Sequence, residues 1–338
     1  MIKKMLLVSP VDPFEFGGTP RVTHYSELYL RKYCEKLTVF NYRKSTFSSK
    51  LHLAKFYVPG FQKWDIRRMN RRLLELVNNQ HFNIILLFKG EDLFPETIKE
   101  ISEKNGVIIA AWMADDPFSF KNIKKSLMYY NYYFIWDSWY LMPLRDAGVK
   151  NVVYLPPYTI PEVYRKIDLT EEEKEQFVSD LVFVGTWRPD REKILGKLLD
   201  FDIKIYGNGW QNNSKLPKKY VNREVNIIEM NKIYNASKIV LNVHHSWGKN
   251  DANFRTFEAL GSGGFLIDER KKDIISLFKE NEEIVLYESI DELREKIEHF
   301  LGDEDSRKRI ARKGSEIVNK EHTVSKRCDE LFTWLKSY

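Results

Sequence analysis

Arg255 and Glu258 lie one helical turn apart in the stretch Asn253-Phe-Arg-Thr-Phe-Glu-Ala-Leu-Gly-Ser-Gly-Gly-Phe-Leu-Ile267. The pattern predicts a short helix from Phe254 to Leu260, stopped by Gly261, Gly263 and Gly264, and then a buried strand from Phe265 to Ile267. A helix start exposes unpaired backbone amides, here around Asn253 and Phe254, that can hold phosphate oxygens. Arg255 can add a charge-assisted contact. Glu258 can accept hydrogen bonds from ribose hydroxyls. It can equally serve as a simple complement to the positive end of the helix.

Other predicted strand ends in this half carry residues of the same kind. Gly185-Thr-Trp-Arg-Pro-Asp-Arg191 follows an apolar strand. Gly185 permits close backbone approach, and Arg188 and Arg191 can meet phosphate oxygens. A plain turn with Asp190 as a helix cap accounts for the same string. Tyr206-Gly-Asn-Gly-Trp210 sets Gly207 three residues before Trp210, a flat ring on which a base can stack; a glycine turn is the simpler account. His244 suits either a polar contact to a ligand or a partly buried structural role. His244 and His245 make no zinc site, since neighbours on a strand point opposite ways and no third ligand stands at the usual spacing. No metal is expected.

In the first half, Asp12-Pro-Phe-Glu-Phe-Gly-Gly-Thr19 puts Gly17 and Gly18 in a loop after the first strand, with His24 just beyond. Trp112-Met-Ala-Asp-Asp-Pro-Phe118 places Asp115 and Asp116 at another strand end. A carboxylate there can take the proton of an acceptor hydroxyl, or it can cap a helix opening at Pro117. Lys89-Gly90-Glu91 ends a further strand on that rim.

The elements that must position these residues alternate. Met5 to Ser9, Leu37 to Asn41, Asn83 to Phe88, Val107 to Trp112, Tyr133 to Trp136 and Asn151 to Leu155 read as strands. Helical patterns from Thr23 to Tyr33, Ile66 to Asn79 and Pro95 to Asn105 separate several of them. Strands that are apolar throughout predict parallel sheets covered on both faces. Pro156-Pro157, Pro161 and the acidic run Glu171-Glu172-Glu173 interrupt the pattern, and the alternation restarts at Asp180. The reading is two doubly wound α/β halves, with ligands at the carboxyl ends of the strands and in the cleft between the domains. Ser306 to Leu335 reads as helix with a break near His322.

The 338 residues suit two domains, and 43% hydrophobic content suits real cores. Cys34 and Cys328 are the two cysteines, which gives no disulfide framework and fits a reducing, cytoplasmic setting. The formal charge is +6. Much of the excess sits between Arg43 and Arg72, where basic residues mix with Phe47, Phe56, Tyr57, Phe61 and Trp64. Such a segment suits peripheral contact with the inner face of a membrane, an anionic acceptor, or a solvated helix face. No nucleic-acid module accompanies it, so no nucleic acid is expected as a partner. The chain also lacks a P-loop, a Gly-x-Gly-x-x-Gly after its first strand and a Gly-x-Ser-x-Gly elbow.

Several strings resemble group 1 (family 4-like) glycosyltransferases of the GT-B fold, and within them the CgeB-like spore-maturation branch. They are Leu181-Val-Phe-Val-Gly185 with Arg191, Ile205-Tyr-Gly-Asn-Gly-Trp210, Leu241-Asn-Val-His244, Arg255 to Leu266, the tail around Arg327 and, in the first half, Trp112-Met-Ala-Asp-Asp-Pro117. The resemblance implies a fold of two Rossmann-like domains facing each other across a cleft. An acceptor domain would span 1–158, a linker 159–179, a nucleotide-sugar domain 180–322, and a helix over 323–338 would cross back to the first domain.

It implies a metal-independent, retaining transfer of a sugar from a nucleoside diphosphate, such as UDP, to a hydroxyl of a glycan, lipid-linked or protein acceptor in cell-surface polysaccharide synthesis. No cofactor beyond the donor is implied. Gly185, Arg188, Arg191, Gly207, Trp210, His244, Asn253, Phe254, Arg255 and Glu258 would hold the donor. Asp115, Asp116 and His24 would act on the acceptor, beside Gly17, Gly18 and Lys89. Glu258 matches the second glutamate of the family's Glu-x7-Glu motif, while Asn250 stands where the first is expected. A nucleotide-sugar epimerase and a non-catalytic coat or scaffold protein on the same fold are the alternatives.

Overall fold

The structure is a computed structural model and describes residues 2–10, 19–42, 60–245 and 248–336. Gly17 and Gly18, and positions 43–59 of the basic segment, lie outside the described residues. Two compact units divide the chain: Met1–Leu155 with Cys328–Tyr338, and Pro156–Arg327.

The first unit is built on six strands: β1 (Ile2–Ser9), β2 (Cys34–Asn41), β3 (Ile84–Phe88), β4 (Ile108–Met113), β5 (Tyr132–Ile135) and β6 (Asn151–Tyr154). Their order is β2-β1-β3-β4-β5-β6, and every pairing is parallel. β3, Ile-Ile-Leu-Leu-Phe, is buried at every position, because helices cover both faces of a parallel sheet. The helices are α1 (Thr19–Leu30), α2 (Phe61–Asn79), α3 (Pro95–Ser102), α4 (Lys121–Ser126) and α5 (Leu141–Asp146). α2 packs Met69, Leu73 and Val77 into the core, at helical spacing.

Asn70, also buried, fixes where α2 stops sliding. Its Nδ2 donates to Asp92 O at 3.0 Å and to Ile66 O at 2.9 Å, while its Oδ1 accepts Phe94 N at 2.8 Å. Asp92 and Phe94 follow the carboxyl end of β3, so the first half of α2 stands at that edge of the sheet.

The second unit carries β7 (Ser179–Val184), β8 (Ile203–Tyr206), β9 (Ser237–Asn242), β10 (Leu266–Glu269) and β11 (Val285–Tyr287) in the order β11-β10-β9-β7-β8. These pairings are parallel too. The strand order reverses between β7 and β9, which is where an open α/β sheet leaves a crevice beyond its strand ends. The helices that matter here are α6 (Glu171–Phe177), α7 (Pro189–Leu195), α8 (Trp210–Asn213), α9 (Ile227–Ala236) and α10 (Phe254–Gly261). They are followed by α11 (Lys272–Leu277), α12 (Ile290–Gly302), α13 (Glu304–Glu321) and α14 (Val324–Leu335).

Residues 159–179, read from their prolines as a linker, are part of this second unit. Tyr158 and Tyr164 are fully buried, and α6 is capped by a reciprocal Thr170–Glu173 box. The helical break expected near His322 falls between α13 and α14, where Thr159 bridges Thr323 as a strand would. The buried Arg327 guanidinium secures this place, donating from Nε to Pro156 O at 3.0 Å and meeting His322 Nδ1 at 2.7 Å. Burial and the Arg327 charge together push His322 down to about 4, so its ring is neutral. From Cys328 onward α14 groups with the first unit, where Phe332 stacks on Tyr33 at 4.2 Å.

Asn70→Ala removes three hydrogen bonds and strands the Phe94 amide. A loss of about 2–3 kcal/mol in unfolding free energy is expected from urea titration, because a buried orphaned donor costs its full desolvation.

Candidate functional site

Gly185 and Gly207 meet backbone to backbone where β7 and β8 end. Gly207 has φ +133°, and a Cβ there would run into the Gly185 carbonyl. A Cβ on Gly185 would strike the Arg255 guanidinium and lie 2.9 Å from Phe183 Cζ. Gly207 is therefore demanded by close backbone approach, and Gly185 leaves room for the Arg255 guanidinium. Trp210 completes the contact from below. Its indole Nε1 donates to Gly185 O at 2.6 Å, and the ring is wholly buried against Phe183. This corrects the expectation that Trp210 borders a base. Gly209, at φ +84°, turns the chain so that α8 starts by sending this ring into the core.

Two arginines bracket the Phe183 ring, Arg255 at 4.9 Å and Arg191 at 5.6 Å from its centroid. Arg255 donates from Nε to Val184 O and from Nη1 to Asn242 Oδ1, the latter at 2.5 Å. Arg191 donates from Nε to Val243 O at 2.9 Å and from Nη1 to Thr186 O at 3.0 Å. Carbonyls at the strand ends thus orient both guanidiniums, and among the described residues neither has a carboxylate partner. Burial, then the neighbouring Arg255 charge, pulls Arg191 down to about 9. Arg188, half-buried just before α7, lies 3.9 Å from Asp190.

Behind the arginines is a buried polar cluster that sequence reasoning did not identify. Asn242 Nδ2 reaches Asp268 Oδ2 at 3.0 Å, Asn253 Oδ1 at 3.1 Å and Thr256 Oγ1 at 3.2 Å. Thr256 donates to Asp268 Oδ2 at 2.7 Å, and His244 Nε2 lies 2.9 Å from Asp268 Oδ1. On its other side, His244 Nδ1 lies 3.6 Å from Asp251. Burial works against a charged His244, but Asp268 and Asp251 outweigh it and raise the imidazole to about 9. His244 is thus a buried imidazolium between carboxylates. The available signal was a polar residue at the end of each apolar strand: Asn242 and His244 two apart, and Asp268 on the next strand.

Asn253 caps α10, its Oδ1 accepting Arg255 N at 3.0 Å, and the Phe254 ring meets Tyr158 edge-on at 5.2 Å. Glu258 is buried, and its Oε1 accepts the Tyr164 hydroxyl at 3.0 Å. Asn250 turns its carbonyl to the Asp273 amide at 2.9 Å. Asp251 faces inward to His244, so this turn directs its carboxylate to the cluster.

In the first unit Lys89 and Asp115 form an ion pair at 2.9 Å across the ends of β3 and β4. Asp115 is about half exposed and remains at the rim. Asp116 takes the capping alternative: Oδ1 accepts Phe118 N at 2.8 Å and Oδ2 accepts the Ser119 hydroxyl at 2.7 Å. His24 lies on α1 edge-on to Tyr25 at 5.1 Å, and among the described residues no hydrogen bond or ion pair joins it to either aspartate.

His244 makes stability depend on pH. Its folded-state value of about 9 lies above the ordinary 6.5, so protonation favours the folded protein. That contribution is complete below about pH 6.5 and is lost as pH rises through about 9. Urea unfolding across this window should show stability falling with pH, and His244→Gln should flatten that part of the profile. A slope unchanged in the variant would assign the titration to another group.

Comparison with known proteins follows the same division. A family model described as glycosyl transferase-like matches residues 188–333. No curated protein matches the sequence. Among solved structures, sucrose-phosphate synthase from Thermosynechococcus elongatus superposes with a TM-score of 0.72 at 9% identity, covering 99% of this chain and 98% of that one. Anabaena HepE in complex with UDP gives 0.67 at 12% identity over 100% of both chains. The trehalose-6-phosphate synthase OtsA gives 0.68 at 12% identity over 99% of both. The chain therefore has the two-domain, Rossmann-like GT-B fold of glycosyltransferases, and its second half matches the glycosyl transferase-like family model.

Proposed function

We propose that this chain transfers a sugar from a nucleoside diphosphate to a hydroxyl acceptor, without a metal ion. The observation that carries the reading is the Arg191–Arg255 pair. Two guanidiniums crowd one strand edge, oriented by carbonyls and lacking a carboxylate partner among the described residues. Burying like charges together is unfavourable until an anion joins them. A diphosphate at this edge, near the start of α10, supplies that anion.

During transfer the bond from the anomeric carbon to the diphosphate oxygen breaks and a bond to the acceptor oxygen forms. Negative charge grows on the leaving diphosphate, and Arg188, Arg191 and Arg255 stabilise it from fixed positions. Glu258, held by Tyr164, takes the ribose hydroxyls. Asp115, tethered to Lys89, positions the acceptor hydroxyl. In a retaining transfer the leaving phosphate oxygen can take the acceptor proton, so no base is required. UDP as the nucleotide is supported by the UDP and UDP-glucose complexes of the HepE structures. The resemblance of several sequence strings to the CgeB-like branch is the ground for a place in cell-surface glycan synthesis.

Calorimetric titration with UDP, GDP and dTDP tests the site, and at least one should bind. Glu258→Ala should weaken that nucleotide about tenfold, and Arg255→Met by about 10–100-fold, the value of one or two charge-assisted hydrogen bonds. Thermal melts would verify that each variant is folded. A folded wild-type protein that binds none of the three would support the scaffold alternative. Turnover of a nucleotide sugar to its epimer without acceptor would support the epimerase.

A further inference from the structure

α2 differs from the other long exposed helices in how it treats its cations. On α12 and α13 three cations pair along the helix: Lys296 with Glu292 at 2.5 Å, Lys308 with Glu304 at 2.5 Å, and Arg312 with Glu316 at 3.2 Å. On α2, Lys63, Arg67, Arg71 and Arg72 are all exposed, and among the described residues none has a carboxylate partner. Trp64, Arg67, Arg68 and Arg71 recur at i, i+3, i+4 and i+7, which places them on one stripe opposite Met69, Leu73 and Val77. Trp64 is 45% exposed, with Phe61 at 5.7 Å and the Arg68 guanidinium 5.4 Å from its ring. A large indole left in water among cations is the composition of a surface that meets a bilayer interface: the rings enter the headgroup layer and the cations meet lipid phosphates.

Position adds to composition. Asn70 pins the middle of α2 to the loop after β3, so the Phe61–Met69 half stands at the carboxyl edge that also carries Lys89 and Asp115. No helix among the described residues is long and apolar enough to cross a membrane, so contact through α2 would be peripheral.

We infer that the outward stripe of α2, with Trp64 at its apolar end and Arg67, Arg68, Arg71 and Arg72 along it, docks the first unit onto an anionic lipid surface. Lipid is favoured over nucleic acid because the indole lies in the cationic stripe and the chain carries no nucleic-acid module. Docked this way, the protein holds the Lys89–Asp115 rim beside the headgroups, where a lipid-linked acceptor would present its hydroxyl. The inference does not need the donor-site reading, since vesicle binding is measured without nucleotide.

The test is flotation of the full chain with vesicles of phosphatidylcholine containing about 30% phosphatidylglycerol, against pure phosphatidylcholine, at 150 mM salt. The anionic vesicles should carry the protein and the neutral ones should not. Arg67→Glu/Arg71→Glu/Arg72→Glu should lower partitioning on the order of 100-fold, with the melting temperature and nucleotide titration unchanged. Trp64→Phe should abolish most of the blue shift in tryptophan emission on vesicle binding. Absence of binding to anionic vesicles, binding unaffected by the triple substitution in a folded variant, or tighter binding to single-stranded RNA than to vesicles would each overturn the inference.

Discussion

The carboxyl edge of the second sheet depends on how one buried carboxylate is satisfied. Asp268 has no exposure, and an isolated charge in such a place would be prohibitively costly. It is tolerated because Asn242, Thr256, His244 and the Glu269 amide all meet it. Those same partners hold the start of α10: Asn242 touches both the capping Asn253 and Arg255. The cluster therefore links the ends of β9 and β10 to the start of α10. Polar networks of this kind are demanding, since a half-satisfied one is worse than an apolar core.

The outer layer uses the opposite economy. Strand-end carbonyls, which a sheet leaves unpaired at its edge, accept from Arg191 and Arg255. Each guanidinium is thereby oriented without being neutralised. The missing Cβ of Gly185 lets the Arg255 guanidinium lie against Phe183 instead of being pushed aside. Under the proposed function, a diphosphate held here would need little reorganisation of the protein, which is the condition for electrostatic catalysis.

Much of this was legible in the residues because parallel sheets write themselves plainly. Ile84–Phe88 and Ile239–Leu241 are apolar throughout, and the glycines after Val184 and Tyr206 marked where the chain must turn. What periodicity does not encode is the direction of a side chain after a glycine, so Trp210 looked like a platform and is core. Asp115 and Asp116 were inseparable in sequence; Pro117 decides between them, because the residue immediately before the helix is the one that can cap it. Residues 159–179 read as a linker from prolines and acids, whereas Tyr158 and Tyr164 carried the contrary signal of large rings seeking a core. Asp268 was missed because a single acid at the end of a strand is usually a solvated one.

Lys89 has φ +66°, a left-handed backbone that glycine adopts freely and lysine adopts at a cost. It is followed by Gly90 at φ +86°, so two consecutive residues turn the chain out of β3. The strained position nonetheless carries a long cationic side chain, aimed at Asp115. Glycine at this place would relax the backbone and remove the charge in one substitution. A population of variants sorted only for thermal resistance would therefore drift towards losing the ion pair at the rim, and stabilising mutations gathered near β3 would need sorting by activity as well as by melting temperature.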